Sequence, residues 1–470
     1  MSFASADAAS ILRMHSTPVP PTLNLIGNTP LVQLIGFDTG VCELYLKLES
    51  QNPGGSIKDR MAVSMIEAAE SSGALRPGQT IVEATAGNTG IGLALVAAIK
   101  GYRLILIIPD KMSTEKIAHA RALGADVRLT RSDVGPGHPA FYQDMAAQIA
   151  KKTPDCYHIN QFSNAANPLA HEVTTGPEVW HQMDHRVDAI VCGIGSGGTL
   201  TGLSRFFARV QPDSEMVLAD PTGSSLAEYV RTGKQTPSGS YAVEGIGGSC
   251  VPAIADLSRV KKAYSISDAE SFLTARDLLK RTGIFGGPSS GTLLAAALRY
   301  CREQTESKRV VTFICDTGAK YLSKMYNDYW MLDQGYLERS ATGTLRELIA
   351  RRYEEGGVIT VTPDDTLLTA FQRMRVADIS QVPVIESGHC VGVLDESDLL
   401  LAVHDNPDKF HSPVRGAMTS RLETISPEAR IEAVYDILDR GLVALVTEGD
   451  TFVGLITRSD LLSYLRRKLH

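Results

Sequence analysis

Four glycine- or serine-rich loops hold the residues of this sequence that could do chemistry. The first, Asn52-Pro-Gly-Gly-Ser-Ile-Lys-Asp-Arg60, puts Lys58 where a helix should open. A lysine there can bind phosphate as a point charge, stand solvated in a first helical turn, or attack a cofactor aldehyde to form a Schiff base. The second, Glu83-Ala-Thr-Ala-Gly-Asn-Thr-Gly90, runs straight into the apolar stretch Ile91–Lys100. Backbone N–H groups at such a helix start, with hydroxyls beside them, make a seat for a carboxylate or phosphate. A Gly-rich turn capped by Thr or Asn is the plainer alternative.

The third loop, Gly193-Ile-Gly-Ser-Gly-Gly-Thr-Leu-Thr-Gly202, follows the strand candidate Ala189–Cys192. Gly193, Gly195 and Gly198 match the dinucleotide pattern Gly-x-Gly-x-x-Gly, but Asp220, 27 residues past Gly193, is a poor fit for the acid that pattern requires. The same glycine density, with Ser196 and Thr199, suits wrapping a single phosphate. No Gly-Lys-Ser/Thr follows, so this is not an ATP-type loop. The fourth, Gly286-Gly-Pro-Ser-Ser-Gly-Thr292, opens another apolar helix and alone reads as a capped helix start.

The elements that would present these loops alternate from about residue 25 to 330. Strands are predicted at Leu44–Leu48, Ile81–Glu83, Leu104–Ile108, Asp126–Leu129, Ala189–Cys192, Met216–Ala219 and Val310–Ile314, with helices at Met61–Ser72, Ile91–Lys100 and Met112–Leu123 between them. That alternation predicts an α/β fold with largely parallel sheets, whose ligands sit beyond the carboxyl ends of the strands. Residues 1–21 read as a loosely tethered arm, 22–335 as the catalytic domain, 336–344 as a linker and 345–470 as a second module. That module is an internal repeat. Thr360-Val-Thr-Pro-Asp-Asp, a helix, Val382-Pro-Val-Ile and Val391–Leu400 recur as Thr424-Ile-Ser-Pro-Glu-Ala, a helix, Val443-Ala-Leu-Val and Val453–Leu462. Each β-α-β-β-α copy is small, so the two should pack as one pseudo-symmetric module.

Composition narrows the classes. Of the 470 residues 43% are hydrophobic and 21% charged, as in a soluble globular protein of two to four folding units. The net charge of −7 and the lack of a basic run argue against nucleic acid. The longest apolar runs are well short of a membrane span, and no secretory signal is evident. The seven cysteines, Cys42, Cys156, Cys192, Cys250, Cys301, Cys315 and Cys390, are scattered without a Cys-x-x-Cys pair. They read as reduced, buried thiols of a cytoplasmic protein.

Taken together and in this order, the loops resemble those of the fold-type II pyridoxal-phosphate (PLP) enzymes, the family that includes cysteine synthase and cystathionine β-synthase. The resemblance implies that PLP is the cofactor and that Lys58 carries it. It assigns Asn88 to the ring hydroxyl oxygen, Gly195, Ser196, Gly197, Gly198 and Thr199 to the phosphate, and Ser289 to the pyridine nitrogen. Thr85, Ala86, Gly87, Asn88 and Thr89 would grip the substrate carboxylate. A serine at the pyridine nitrogen does not favour a protonated ring, which suits β-elimination better than transamination.

Ala219-Asp-Pro-Thr-Gly-Ser224, Tyr241-Ala-Val-Glu-Gly-Ile-Gly247, Tyr321–Met331 and Gln161–Pro168 look more like the cystathionine β-synthase branch. They add Gln161, Phe162, Glu244 and Gly245 to the implied substrate contacts. The C-terminal repeat is similar to a tandem CBS-domain module. The implied reaction is PLP-dependent β-replacement by a hydro-lyase, joining serine (or cysteine, with release of hydrogen sulfide) to homocysteine in transsulfuration. A cysteine synthase using O-acetylserine, and a non-catalytic adenosyl-nucleotide sensor, are the alternatives. A homodimer or higher homo-oligomer is expected.

The chain also departs from its relatives. Ala86 stands where many have Ser, and Phe162 and Gly248 stand where better-known cystathionine β-synthases have tyrosines. Haem-bearing relatives use a Cys and a His in an N-terminal extension, whereas His15 here has no preceding cysteine, so no haem is expected, and no metal. In the repeat, Thr457 and Asp460 match a ribose-holding pattern, whereas the first copy has Asp395 in place of the Thr. An adenosyl ligand (S-adenosylmethionine, AMP or ATP) at the second copy, and a purely structural module, both stay open.

Overall fold

The computed structural model describes residues 21–85, 87–135, 137–337, 343–349 and 352–467. Ala86, nearly all of the expected N-terminal arm and residues 338–342 of the expected linker lie outside the described residues. The chain divides into two compact units between Asn327 and Asp328.

In the first unit all seven predicted strands form, and Leu31–Gln33, Cys156–His158 and Val260–Ile266 join them as strands not expected from the sequence. The strands are β1 (Leu31–Gln33), β2 (Glu43–Lys47), β3 (Thr80–Ala84), β4 (Arg103–Pro109), β5 (Asp126–Thr130), β6 (Cys156–His158), β7 (Ala189–Cys192), β8 (Glu215–Pro221), β9 (Val260–Ile266) and β10 (Arg309–Phe313). They form a six-stranded sheet, β1-β2-β10-β7-β8-β9, and a four-stranded sheet, β5-β4-β3-β6. Every pairing is parallel except that of β1 with β2. Helices cover the sheets, so β3 and β7 are buried along their whole length, and such strands read as continuous rather than alternating apolar runs. The chain leaves the larger sheet after β2, builds the smaller one, and returns at β7. Loops at the carboxyl ends of strands from both sheets can thereby face one site.

The helix Lys58–Ser71 starts three residues before the expected Met61. Polar residues hold this first turn. The Asp59 carboxylate accepts from the Gly54 N–H. The Arg60 guanidinium donates to both oxygens of Glu49 at 2.8 Å and to both oxygens of Glu178 at 2.7 Å. Lys47 completes this group of four charges at 2.7 Å from Glu178.

In the second unit the repeat is visible as β11 (Gln381–Glu386) with β12 (His389–Asp395), and β14 (Ala444–Glu448) with β15 (Thr451–Ile456), each pair antiparallel. The helices Glu396–Val403 and Arg458–Arg467 follow the two hairpins. A shared apolar cluster of Ile385, Leu445 and Phe452 joins the copies. The copies differ in two places. The second copy opens with strand β13 (Thr424–Ile425), whereas the first has only a Val361–Val384 bridge. The helix Leu367–Ala377 is capped by Thr366, whose side chain accepts from Thr369 N–H; its counterpart has Arg430 at that position and breaks into the short turns Ile431–Val434 and Tyr435–Asp439. The repeats also exchange their leading segments. Leu345 and Arg346, ahead of the first copy, donate to Ala429 and Pro427 of the second, and Val414 and Arg415, ahead of the second, donate to Asp365 and Pro363 of the first. Leu345, Leu348 and Ile349 accordingly lie in the core of the second copy.

All seven cysteines are free; Cys42, Cys192 and Cys301 are buried as expected, while Cys250 is exposed on the irregular stretch before β9 and departs from that reading. No helix among the described residues is long and apolar enough to cross a membrane. Among the described residues no group of three or more His, Cys, Asp and Glu side chains could hold a metal ion.

Candidate active site

The four loops meet at the carboxyl ends of β3, β7 and β10. Lys58 is tied to the end of β10 by its own loop. Ser56 forms a bridge with Asp316, and the Ile57 N–H donates to the Cys315 carbonyl at 2.8 Å. Among the described residues the Lys58 amine makes no hydrogen bond or ion pair. Cys192, at the end of β7, and Cys315 lie within reach of its charge, though burial dominates and pushes the Cys315 thiol up to about 12. Ser289 is buried in the first turn of the helix Pro288–Arg302 and reaches the Cys315 thiol.

The loop after β7 is a close-packed glycine cradle, in which side chains at the glycines would run into the surrounding protein. A Cβ on Gly195 would lie 2.4 Å from the Gly245 carbonyl oxygen, and one on Gly198 would lie 1.9 Å from Asn167 Oδ1. Gly197 has φ +91°, a left-handed conformation that favours glycine. The helix Gly198–Val210 starts here, so its first N–H groups have no intrahelical partner and can receive an anion. Ser196 accepts from Asn167 Nδ2 at 2.9 Å, and Thr199 Oγ1 lies 3.2 Å from His171 Nε2. Burial, with Arg60 and Lys58 nearby, holds the His171 imidazole well below its usual range, so it is neutral. The cradle fits the phosphate of a PLP-type cofactor. The dinucleotide alternative is not supported, because Asp220 is buried and accepts from the Ala227 N–H instead of facing the loop.

At the end of β3, Thr85 and Thr89 are buried. Thr85 Oγ1 accepts from the Gly87 N–H at 3.1 Å, and Thr89 Oγ1 donates to Gln161 Oε1 at 2.7 Å. Gln161 donates in turn to the Ala84 carbonyl and the Glu83 carboxyl. Burial pushes that carboxyl up to about 8. Asn88 opens the helix Asn88–Lys100 and bonds both Asp316 and Lys320. Phe162 is half-buried in the turn after Gln161. Glu244 is buried, and two lysines hold its carboxylate, Lys116 at 2.8 Å and Lys324 at 2.6 Å. Burial opposes its ionisation, yet the two lysines keep it below the usual carboxylate range. Lys116 also lies over the Tyr321 ring, and its stem would be 2.5 Å from a Cβ at Gly87.

Several of these residues are not legible in the loop motifs. His171, Lys116, Cys315, Asp316 and Lys320 lie outside every motif, while Asn167 and Lys324 fall within Gln161–Pro168 and Tyr321–Met331, segments that by themselves assign them no role. Only the position of Cys315 and Asp316 directly after a predicted strand marks them, since strand ends in parallel sheets face ligands. In the second unit Thr457 and Asp460 are turned toward each other. Thr457 Oγ1 donates to Asp460 Oδ2 at 2.6 Å, at the start of the helix Arg458–Arg467. Asp395 and Asp398 form the matching capping box of the first copy.

Comparisons with known proteins show the family. Residues 22–316 match the family of pyridoxal-phosphate dependent enzymes, and residues 350–405 and 414–467 match the CBS domain. The cystathionine beta-synthase of Oryctolagus cuniculus is 35% identical over 468 residues, covering 95% of this chain and 85% of that protein. Cysteine synthase A of Escherichia coli strain K12 is 40% identical but covers only 63% of this chain, and 92% of its own. The crystal structure of a hydrogen sulfide-producing enzyme from Fusobacterium nucleatum is 36% identical with a TM-score of 0.60, covering 64% of this chain and 99% of that one. The cystathionine synthase matches thus run through the C-terminal repeat as well as the catalytic unit, and the chain belongs to the cystathionine β-synthase family of pyridoxal-phosphate-dependent enzymes.

Proposed function

We propose that this chain condenses serine with homocysteine to give cystathionine, and that cysteine can replace serine with release of hydrogen sulfide. What supports this reading is that the loops carrying Lys58, Asn88 and Ser289 each join the segment after β10, in a chain similar to cystathionine β-synthases along nearly its whole length. When bound, pyridoxal phosphate supplies an aldehyde for the lysine and a ring that takes up the electron pair left at Cα. Lys58 would hold the cofactor and, with its amine free, would carry the Cα proton. Gly195, Ser196, Gly197, Gly198 and Thr199 would hold the phosphate, Ser289 the pyridine nitrogen and Asn88 the ring oxygen. Thr85, Ala86, Gly87 and Thr89 would take the substrate carboxylate, with Gln161 holding the loop through Thr89. Phe162, Glu244 and Gly245 would border the substrates. Glu244 is already shared by two lysines, so its part is to order Lys116 and Lys324 and not to meet a substrate amine alone.

The boundaries proposed for this architecture are an arm to residue 21, the catalytic domain over 22–335, a linker over 336–344 and the CBS-domain module over 345–470. The enzyme is proposed to work as a cytoplasmic homodimer or higher homo-oligomer without haem. In support of the last point, Cys42 is buried and its thiol faces the Cys301 carbonyl. A Soret band of stoichiometric size in protein produced with haem supplied would overturn it. The main test is a two-by-two assay pairing serine or O-acetylserine with homocysteine or sulfide. Cystathionine from serine and homocysteine is the expected main product; turnover confined to O-acetylserine and sulfide would instead establish a cysteine synthase. Lys58→Ala, folded by circular dichroism, should show no turnover with any pair.

A further inference from the structure

Lys320 belongs to none of the sequence motifs, yet its ammonium is buried where two of the loops meet. The side chain rises from the short 3₁₀ turn Gly318–Tyr321 that follows β10 and is 4% exposed. Its Nζ donates to the carbonyls of Gly54 and Gly55 at 2.8 and 3.1 Å and to Asn88 Oδ1 at 2.9 Å. Those three acceptors use all three of its N–H bonds. Asn88 Nδ2 points the other way and donates to Asp316 Oδ2 at 2.7 Å, where the Tyr321 hydroxyl also donates at 2.6 Å.

An asparagine amide can in principle sit either way round. Here the choice is chemical, since an ammonium can only face an oxygen and a carboxylate can only face N–H groups. Both neighbours therefore impose the same orientation. They leave the second N–H of Asn88 with no partner among the described residues but the Tyr321 hydroxyl, itself already a donor to Asp316, and a donor is what the oxyanion on a cofactor ring requires. We propose that Lys320 is a positioning residue that fixes the Asn88 amide with its nitrogen turned to the cofactor's ring oxygen. This rests on the reading that Asn88 meets that oxygen.

Burial lowers the Lys320 ammonium to about 8, against the pull of Asp316 and Asp59. The orienting charge should therefore weaken toward mildly alkaline pH.

The test uses holoenzyme and reads cofactor release, as decay of the visible cofactor band into an excess of an aldehyde trap. Lys320→Met removes the charge-assisted bond to Asn88 and should speed release about ten- to 150-fold. Lys320→Arg keeps a cation and donors and should recover most of the loss. The deciding comparison is Lys320→Met in an Asn88→Ala background. If Lys320 acts through Asn88, the added loss there falls below about threefold, because the group it orients is gone. A loss as large in that background as in the wild type would mean that Lys320 only braces the Gly54–Gly55 turn, and would overturn the inference while leaving the Asn88 assignment intact. Unchanged release from Asn88→Ala alone would overturn the assignment, and the inference with it. Circular dichroism on each variant separates these outcomes from misfolding.

Discussion

Replacing Arg60 with Met tests whether the first turn of the Lys58 helix stands on buried charge. The Arg60 side chain is 2% exposed and that of Glu49 is fully buried. The guanidinium pairs both oxygens of Glu49 and both of Glu178, and Lys47 adds the second positive charge. Two cations and two anions balance. Methionine fills much of the arginine's volume but leaves Glu49 hydrogen-bonded only to the neutral Thr29 and Asn52, while Lys47, the remaining cation, is held by Glu178. An uncompensated buried carboxylate costs about 3–5 kcal/mol. For a unit of this size each kcal/mol lowers the melting temperature by roughly 2 °C, so a fall of about 6–10 °C is expected. Differential scanning calorimetry of the holoenzyme would measure it in the transition of the catalytic unit. The double variant Arg60→Met, Glu49→Met removes both members of the buried pair and should regain at least half of the loss, since well-packed apolar replacements of such pairs are often close to neutral. A double variant as unstable as the single one, or a single variant within about 1 kcal/mol of wild type, would refute the reasoning.

Three further predictions follow from the same geometry. Gly198→Ala places a methyl against Asn167 Oδ1, and the two bonds from Asn167 Nδ2 to Gln161 and Ser196 resist its displacement; the overpacking should cost about 1–3 kcal/mol and speed cofactor release roughly 5- to 150-fold, and release at the wild-type rate would remove the cradle from the phosphate site. Burial raises the Glu83 carboxyl from 4.5 to about 8 in the folded chain, so between these values the folded state binds more protons than the unfolded and stability falls as pH rises. Glu83→Gln should flatten the decline of melting temperature across that window, and equal slopes for the two proteins would count against a buried carboxylic acid at this position. In the repeat, Asp460→Ala should weaken any binding of S-adenosylmethionine, AMP or ATP about ten- to 150-fold in calorimetry while Asp398→Ala changes it little, because only the second copy adds a threonine hydroxyl. Both variants lose a helix cap worth about 1 kcal/mol, so melting should fall alike in the two, and equal losses of affinity would sink the one-site reading.

The parallel α/β architecture, the four loops at strand ends and the C-terminal repeat are all legible in the sequence, because each rests on local order. Buried parallel strands read as apolar runs, helix starts read as Gly, Ser and Thr clusters, and the two copies share their Val-Gly-Val/Leu and Ser-Asp-Leu-Leu signatures. Three-residue strands such as β1 and β6 are too short to leave a period. The exchange of leading segments between the repeats is equally silent, since Leu345 and Val414 each serve the copy that does not adjoin them in sequence. The polar partners of the site were decided only by the tertiary fold. Lys320 meets Asn88 across 232 residues of chain, Lys116 meets Glu244 across 128, and Asn88 meets Asp316 across 228. A lone lysine or aspartate reads in the sequence as a solvated charge. Only when the two sheets bring their strand ends together does burial remove the water and leave each charge dependent on a partner far away along the chain.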